Sequence, residues 1–195
     1  GTAQLTRVVV ERSNDGSTNL CGASAQPTGT ITYRVYAEMQ DADDFVSAIA
    51  ALEGCHPLNI STTTDFYNSP IGGALGNNLN TALCGSFPEG GFDSFITIGQ
   101  ASTGDAGVTQ AAFTNPVAPL APSFGDADGT SFEISDGTIY TLNGSSNGLP
   151  VGPDNRVFLG QFTTDGDFSF DINLQVFDGG DGSQNLFYVS SGALD

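Results

Sequence analysis

The sequence predicts a mostly β protein, an antiparallel β-sandwich of jelly-roll type with one short α-helix, and three observations carry that prediction. Phe168, Phe170, Ile172, Leu174 and Val176 alternate with Asp167, Ser169, Asp171, Asn173 and Gln175, the period of two that marks a strand buried on one side and wet on the other. Ile31, Tyr33, Val35, Ala37 and Met39 alternate in the same way with Thr30, Thr32, Arg34, Tyr36 and Glu38. The chain also holds 26 Gly and 9 Pro among many Thr, Ser, Asn and Asp, which suits short strands joined by tight turns.

Taken in order, Leu5–Val10 is a β-branched run and a first strand. A terminal strand is the easiest element to exchange, so this one either completes its own sheet or lies along a neighbour's edge. A polar loop over 13–29 leads to the second strand at 31–39. The short helix is expected over residues 41–53: Asp41 caps it, Asp43 and Asp44 sit at the positive end of its dipole, and Gly54 stops it. Phe45, Ala48, Ile49 and Leu52 then recur at helical spacing. Capping accounts for these three acids more simply than a calcium cluster does.

Leu58–Thr64 reads as a strand, 66–83 as a Gly/Asn-rich loop, and Ser94–Ile98 as a short buried strand. Residues 99–131, with Pro116, Pro119 and Pro122, read as an extended crossing segment. Phe132–Ile134 and Thr138–Leu142 resemble a hairpin turning at Asp136-Gly137, and Leu186–Val189 closes the chain. The most regular stretch, Arg156–Phe177, reads as a hairpin about Asp165-Gly166. A three-residue loop with Gly166 left-handed sets Phe162 opposite Phe168 and Phe158 opposite Ile172, and a slip of one residue would spoil that apolar match. There is no repeat and no break in composition. Residues 1–195 are therefore one domain, long enough to bury roughly 70% of its unfolded surface.

Composition narrows the function. The chain has 22 acidic residues, four Arg and no Lys, for a formal charge of −18, so it repels nucleic acid and anionic membranes. No apolar run approaches the roughly 18 residues that a helical membrane span needs. Without lysine there is no phosphate-loop lysine, Schiff base or isopeptide cross-link. Without tryptophan there is no sugar cleft built on indole stacking. An acidic, lysine-free chain of this kind fits secretion into salty or calcium-bearing water.

Candidate sites are few. His56 is the only histidine to serve a serine or cysteine nucleophile, and its place before Pro57 fits a turn contact better than catalysis. No catalytic residue is assigned. Cys21, Cys55 and Cys84 allow one disulfide, expected between Cys55 and Cys84 across a long irregular segment. A zinc site from the cysteines and His56 lacks the close ligand spacing. Calcium, the one cofactor considered, would be held by carboxylates on flexible turns, with Asp126 and Asp128 or Asp178 and Asp181 better placed than Asp165 and Asp167. Asn59-Ile60-Ser61 and Asn143-Gly144-Ser145 are acceptor sequons, and Asn143, in a turn, is the better exposed.

Four phrases, TYRVYAEM at 32–39, HPLNISTTTDFYNSPIGG at 56–73, FDSFITIG at 92–99 and VFLGQFTTDGDFSFDINLQVF at 157–177, resemble a module of large secreted and surface proteins of marine bacteria and aquatic protists. The resemblance spans about residues 31–177. It implies an extracellular or cell-surface setting and brings no catalytic residue with it; the three cysteines lie outside the pattern. The expected function is a non-enzymatic extracellular structural protein, a subunit of a surface fibre or adhesive matrix. Its partners would be copies of itself and glycans, with no nucleic acid and no membrane insertion. A calcium-dependent carbohydrate-binding module with a tyrosine-lined groove is the alternative, and a hydrolase of unknown type the third reading.

Overall fold

A computed structural model describes residues 5–22, 24–113, 124–125 and 129–194, and among them there are eleven strands, short 3-10 turns and no α-helix. The strands are β1 (Leu5–Ser13), β2 (Ile31–Met39), β3 (Phe45–Ala51), β4 (Leu58–Thr62), β5 (Phe95–Ile96), β6 (Gln110–Phe113), β7 (Ser131–Ile134), β8 (Gly137–Tyr140), β9 (Arg156–Thr164), β10 (Phe168–Phe177) and β11 (Asn185–Leu194). They form two antiparallel sheets packed face to face as a β-sandwich. The first sheet runs β1-β2-β9-β5; the second is built on β10, which pairs with β3, β4 and β11.

The two alternating runs supply the centre of each inner face. Tyr33, Val35, Ala37 and Met39 of β2, and Phe168, Phe170, Ile172, Leu174 and Val176 of β10, are all buried in one apolar cluster. Tyr33 stacks on Phe168 with ring centroids 4.9 Å apart, so β2 lies over β10. Thr62 of β4 hydrogen-bonds Thr164 of β9 at 2.7 Å, so β4 lies under β9.

Three expectations are corrected. First, residues 41–53 form no helix: Phe45–Ala51 is β3, with all seven residues buried. A short apolar run buried on both sides satisfies helical and strand periodicity alike. The β pairings to β10 and β8 decide between them.

Second, β9 and β10 are not a hairpin. They belong to different sheets, and the chain from Thr164 to Phe168 crosses between the layers as an arch. Phe162 does meet Phe168, at 5.2 Å between centroids, but through the core and not across a ladder. Phe158 points to the opposite face of the first sheet, against Tyr36 and Phe95. Gly166 is absent from the left-handed positions, so the glycine bulge does not form.

Third, β7 and β8 are not a hairpin either. They run in the same direction, end to end, β7 beside β4 and β8 beside β3. β3 and β4 likewise share one edge of β10, with β3 paired to residues 173–177 and β4 to residues 168–171. The loop 52–57 is an excursion from what would otherwise be one long strand.

Asn173 sits at that interruption. Its side-chain Nδ2 donates to the carbonyls of Ala50 at 2.9 Å, His56 at 3.0 Å and Pro57 at 3.2 Å, and the residue is 1% exposed. Here the β10 ladder passes from β3 to β4, and an amide with two hydrogens can donate to the carbonyls gathered at the break. Asn173→Leu keeps the volume and removes the donor. It is expected to lower stability by roughly 2–4 kcal/mol in urea unfolding, and a loss under about 0.5 kcal/mol would show that the gap needs no plug.

Candidate functional site

Two regions stand out once the sandwich is in place: an open flank and an acidic junction. The flank follows from the layer alignment. With β2 over β10, the strands outside them, β1 over β11, lie on the same side of the molecule. Among the described residues β1 pairs only with β2 and β11 only with β10, so two strands of 9 and 10 residues each leave one long edge without a described partner there.

The two edges differ chemically. β1 carries Arg7, Glu11 and Arg12 and is tied down across the outer face of its sheet. Arg7 donates to both oxygens of Glu38, at 3.0 and 3.2 Å, while Arg156 of β9 donates to Glu38 at 3.2 Å and to Glu11 at 2.8 Å. The Arg7 hydrogen bond, with help from Arg156, holds the Glu38 carboxyl below its usual range. Exposed pairs of this kind fix register more than they add stability. β11, by contrast, has no charged residue and no proline, and turns Phe187 and Val189 outward at 51% and 56% exposure. Charges and prolines are what keep sheet edges from pairing with other chains. β11 lacks both.

The acidic junction lies at one end of the second sheet, where the β2–β3 loop carrying Asp41, Asp43 and Asp44 meets the turn from Asp178 to Asp181. Asp44 is fully buried, and its Oδ1 accepts the Gly179 N–H at 3.2 Å. Asn143 reaches over from beyond β8 and donates its Nδ2 to the Gly180 carbonyl at 3.0 Å. Of the predicted metal carboxylates, Asp181 is already engaged as a turn-former by the Ser183 N–H at 2.9 Å and Ser183 Oγ at 2.8 Å, and these bonds lower its pKa. Asp178 is half-buried at the start of the turn. Asp126 and Asp128 lie outside the described residues. No three His, Cys, Asp or Glu side chains are grouped as a metal cluster among the described residues.

The disulfide expectation is corrected. Cys84 is bonded to Cys21, not to Cys55, with Cα atoms 5.3 Å apart, and Cys55 is a free, exposed thiol. Cys55 and His56 sit at the tip of the 52–57 excursion, turned back by the Leu52–His56 bridge and away from the chain that holds Cys84. The real bridge ties residues 14–22 to a layer of loops over 66–93 that covers the outer face of the first sheet, around Ile71, Leu79 and Phe95. Sequence could not rank the pair, because the contact depends on that layer folding back over the sheet.

The remaining candidates are scattered. His56 is exposed, and its N–H and C=O are spent on Leu52. Asn143 is exposed, whereas Asn59 is half-buried in mid-strand between Asp171 and Glu133. Tyr33 is in the core, Tyr36 is on the outer face of the first sheet against Phe158, and Tyr188 is on β11, so these tyrosines do not converge on one groove.

The fold and these features define an antiparallel β-sandwich with a stapled loop layer and an open flank. A disulfide is compatible with secretion, and no helix among the described residues is long and apolar enough to cross a membrane. No protein-family model, curated protein or solved structure matches the chain.

Proposed function

We propose that this protein is a non-enzymatic extracellular structural subunit that joins copies of itself into a surface fibre or adhesive matrix. The observation that carries the reading is the open flank: two long edges, unpaired among the described residues, stacked on one side, one of them neutral and showing Phe187 and Val189 to solvent.

The position of both edges bears on how copies would join. Direct pairing of two identical flanks about a twofold axis closes a dimer and stops. An open chain instead needs a heterologous contact, and β1 provides one if it leaves its own β2 and completes the β2 edge of the next copy. The strand is only partly buried, with Leu5, Val8 and Val10 its inward contacts. At −18 per copy, assembly gains from salt, which screens the repulsion between subunits. On this reading Asn143 is the position that would carry a glycan.

Removing residues 1–12 and imaging the product by electron microscopy tests the mechanism. Filaments are expected from the intact chain and not from the shortened one; assemblies indistinguishable between the two would overturn the role of β1. Dimers that survive the deletion but vanish with Val189→Lys would assign the contact to β11.

A further inference from the structure

The loss of the predicted helix leaves Asp41, Asp43 and Asp44 without the capping role that accounted for them. In the folded chain Asp44 is a carboxylate with no solvent exposure, and only one of its oxygens is used: Oδ1 takes the Gly179 N–H, while Oδ2 has no hydrogen-bond partner among the described residues. A buried carboxylate oxygen with nothing to accept from is costly unless something positive meets it. The same place gathers the turn that the sequence singled out independently for its acids. Gly179 and Gly180 take left-handed φ values of 54° and 74°, which carries the turn close over the loop. A Cβ built on Gly179 would stand 3.8 Å from Asp43 Oδ2, and one on Gly180 would stand 3.7 Å from the Asp43 carbonyl oxygen. Asn143 holds the far side of the turn through Gly180.

We infer that this junction binds a divalent cation, with Asp44 Oδ2 as the buried ligand and Asp43 as the second carboxylate. The donors named here are all oxygen, with no imidazole or thiolate, which selects a hard ion. Because no third acidic side chain is grouped with them, the remaining ligands are backbone carbonyls and water. Calcium accepts such a mixed, irregular shell of six to eight oxygens, whereas magnesium demands a stricter octahedron. The bound ion ties the β2–β3 loop to the turn that launches β11. The inference rests on observations separate from the assembly reading and stands or falls without it.

The test is a titration of the full chain with calcium chloride, followed by calorimetry and thermal unfolding, against magnesium chloride and sodium chloride at matched ionic strength. At about a hundred times its Kd, calcium raises the folded-to-unfolded ratio roughly a hundredfold, which for a chain of this size is a rise in Tm of roughly 5–10 °C. Asp44→Asn keeps an acceptor for Gly179 and removes the charge, so it abolishes the calcium increment, while Asp181→Asn retains it. Asp43→Asn, at an exposed position, weakens calcium at least tenfold and keeps the question decidable should Asp44→Asn fail to fold. Equal increments from calcium and sodium in the intact chain, or calcium affinity unchanged in Asp43→Asn, would overturn the site.

Discussion

Reducing the Cys21–Cys84 disulfide is expected to lower the stability of the folded chain by about 4 kcal/mol, the chain-entropy value for a loop of this length. The bridge spans 63 residues of sequence. It joins residues 14–22 to the loop layer, where Ile71, Leu79 and Phe95 form a small buried cluster with Leu20, Cys21 and Cys84 packed against it. Between the two segments Leu20 N–H donates to the Gly91 carbonyl at 3.2 Å and Asn19 Nδ2 to the Pro88 carbonyl at 2.8 Å, while Arg34 of β2 donates to the Thr18 carbonyl at 2.6 Å and Gln161 of β9 to the Gly91 carbonyl at 2.9 Å. The main core lies on the other face of the first sheet and takes Phe66 and Ala74 from the loop layer, with Leu75 packed against it. Urea unfolding with and without dithiothreitol should show the loss, and Cys21→Ser should reproduce it in the absence of reductant. Cys55→Ser, at the free exposed thiol, should not. A loss under about 1 kcal/mol would mean that the layer is held by its hydrogen bonds and small apolar cluster alone.

What the sequence made legible, and what it did not, follows the range of the interactions involved. Strands with one wet face, such as β2 and β10, announce themselves, because every second side chain reports the same boundary. β3 is buried on both faces, so its sequence FVSAIAA carries no boundary to report, and the nearby acids made a helix the more economical reading. The β9–β10 link has a hairpin's turn residues, yet a turn signal states only that the chain reverses. Whether the second strand pairs with the first or drops into the opposite sheet is decided by partners far away in sequence, β2 for one and β3, β4 and β11 for the other. Asn173 was placed correctly on the outward face by alternation. Its burial was invisible, because the excursion that covers it is an interruption of a strand and not a periodic feature. At the acidic junction, Asp178 and Asp181 were legible as acids on a turn and Asp41, Asp43 and Asp44 as acids ahead of an expected helix; the burial of Asp44 beneath that turn was not, since it follows from β3 being a strand.

Stability should peak on the acid side of neutrality, and Asp93 is the reason. Its carboxylate is 1% exposed and accepts the N–H groups of Ser69 at 2.6 Å and Gly73 at 3.0 Å, packed against Gly72, where an added Cβ would collide with Oδ2. Burial drives its pKa up and these N–H groups draw it down; burial wins, leaving it at about 7 against 3.8 for the free side chain. Below about pH 4 the group is protonated both folded and unfolded, and its contribution is fully present. As pH rises from 4 towards 7 the unfolded chain gives up the proton and the folded one keeps it, so stability is lost, by roughly 4 kcal/mol across the window, and then levels off. The opposite slope comes from groups held low in the folded state. Asp15 is held at about 2 by hydrogen bonds from Ser17 and Ser13, and Glu38 and Asp181 are also lowered, so their share is lost as pH falls through their folded pKa values. Urea midpoints for the intact chain should therefore be higher at pH 5 than at pH 8. In Asp93→Asn that difference should largely disappear, even though the variant forfeits one acceptor and is weaker at both pH values. An intact chain equally stable at pH 5 and pH 8, or a variant that keeps the full slope, would remove Asp93 from the account and leave the pH response to the net charge of −18.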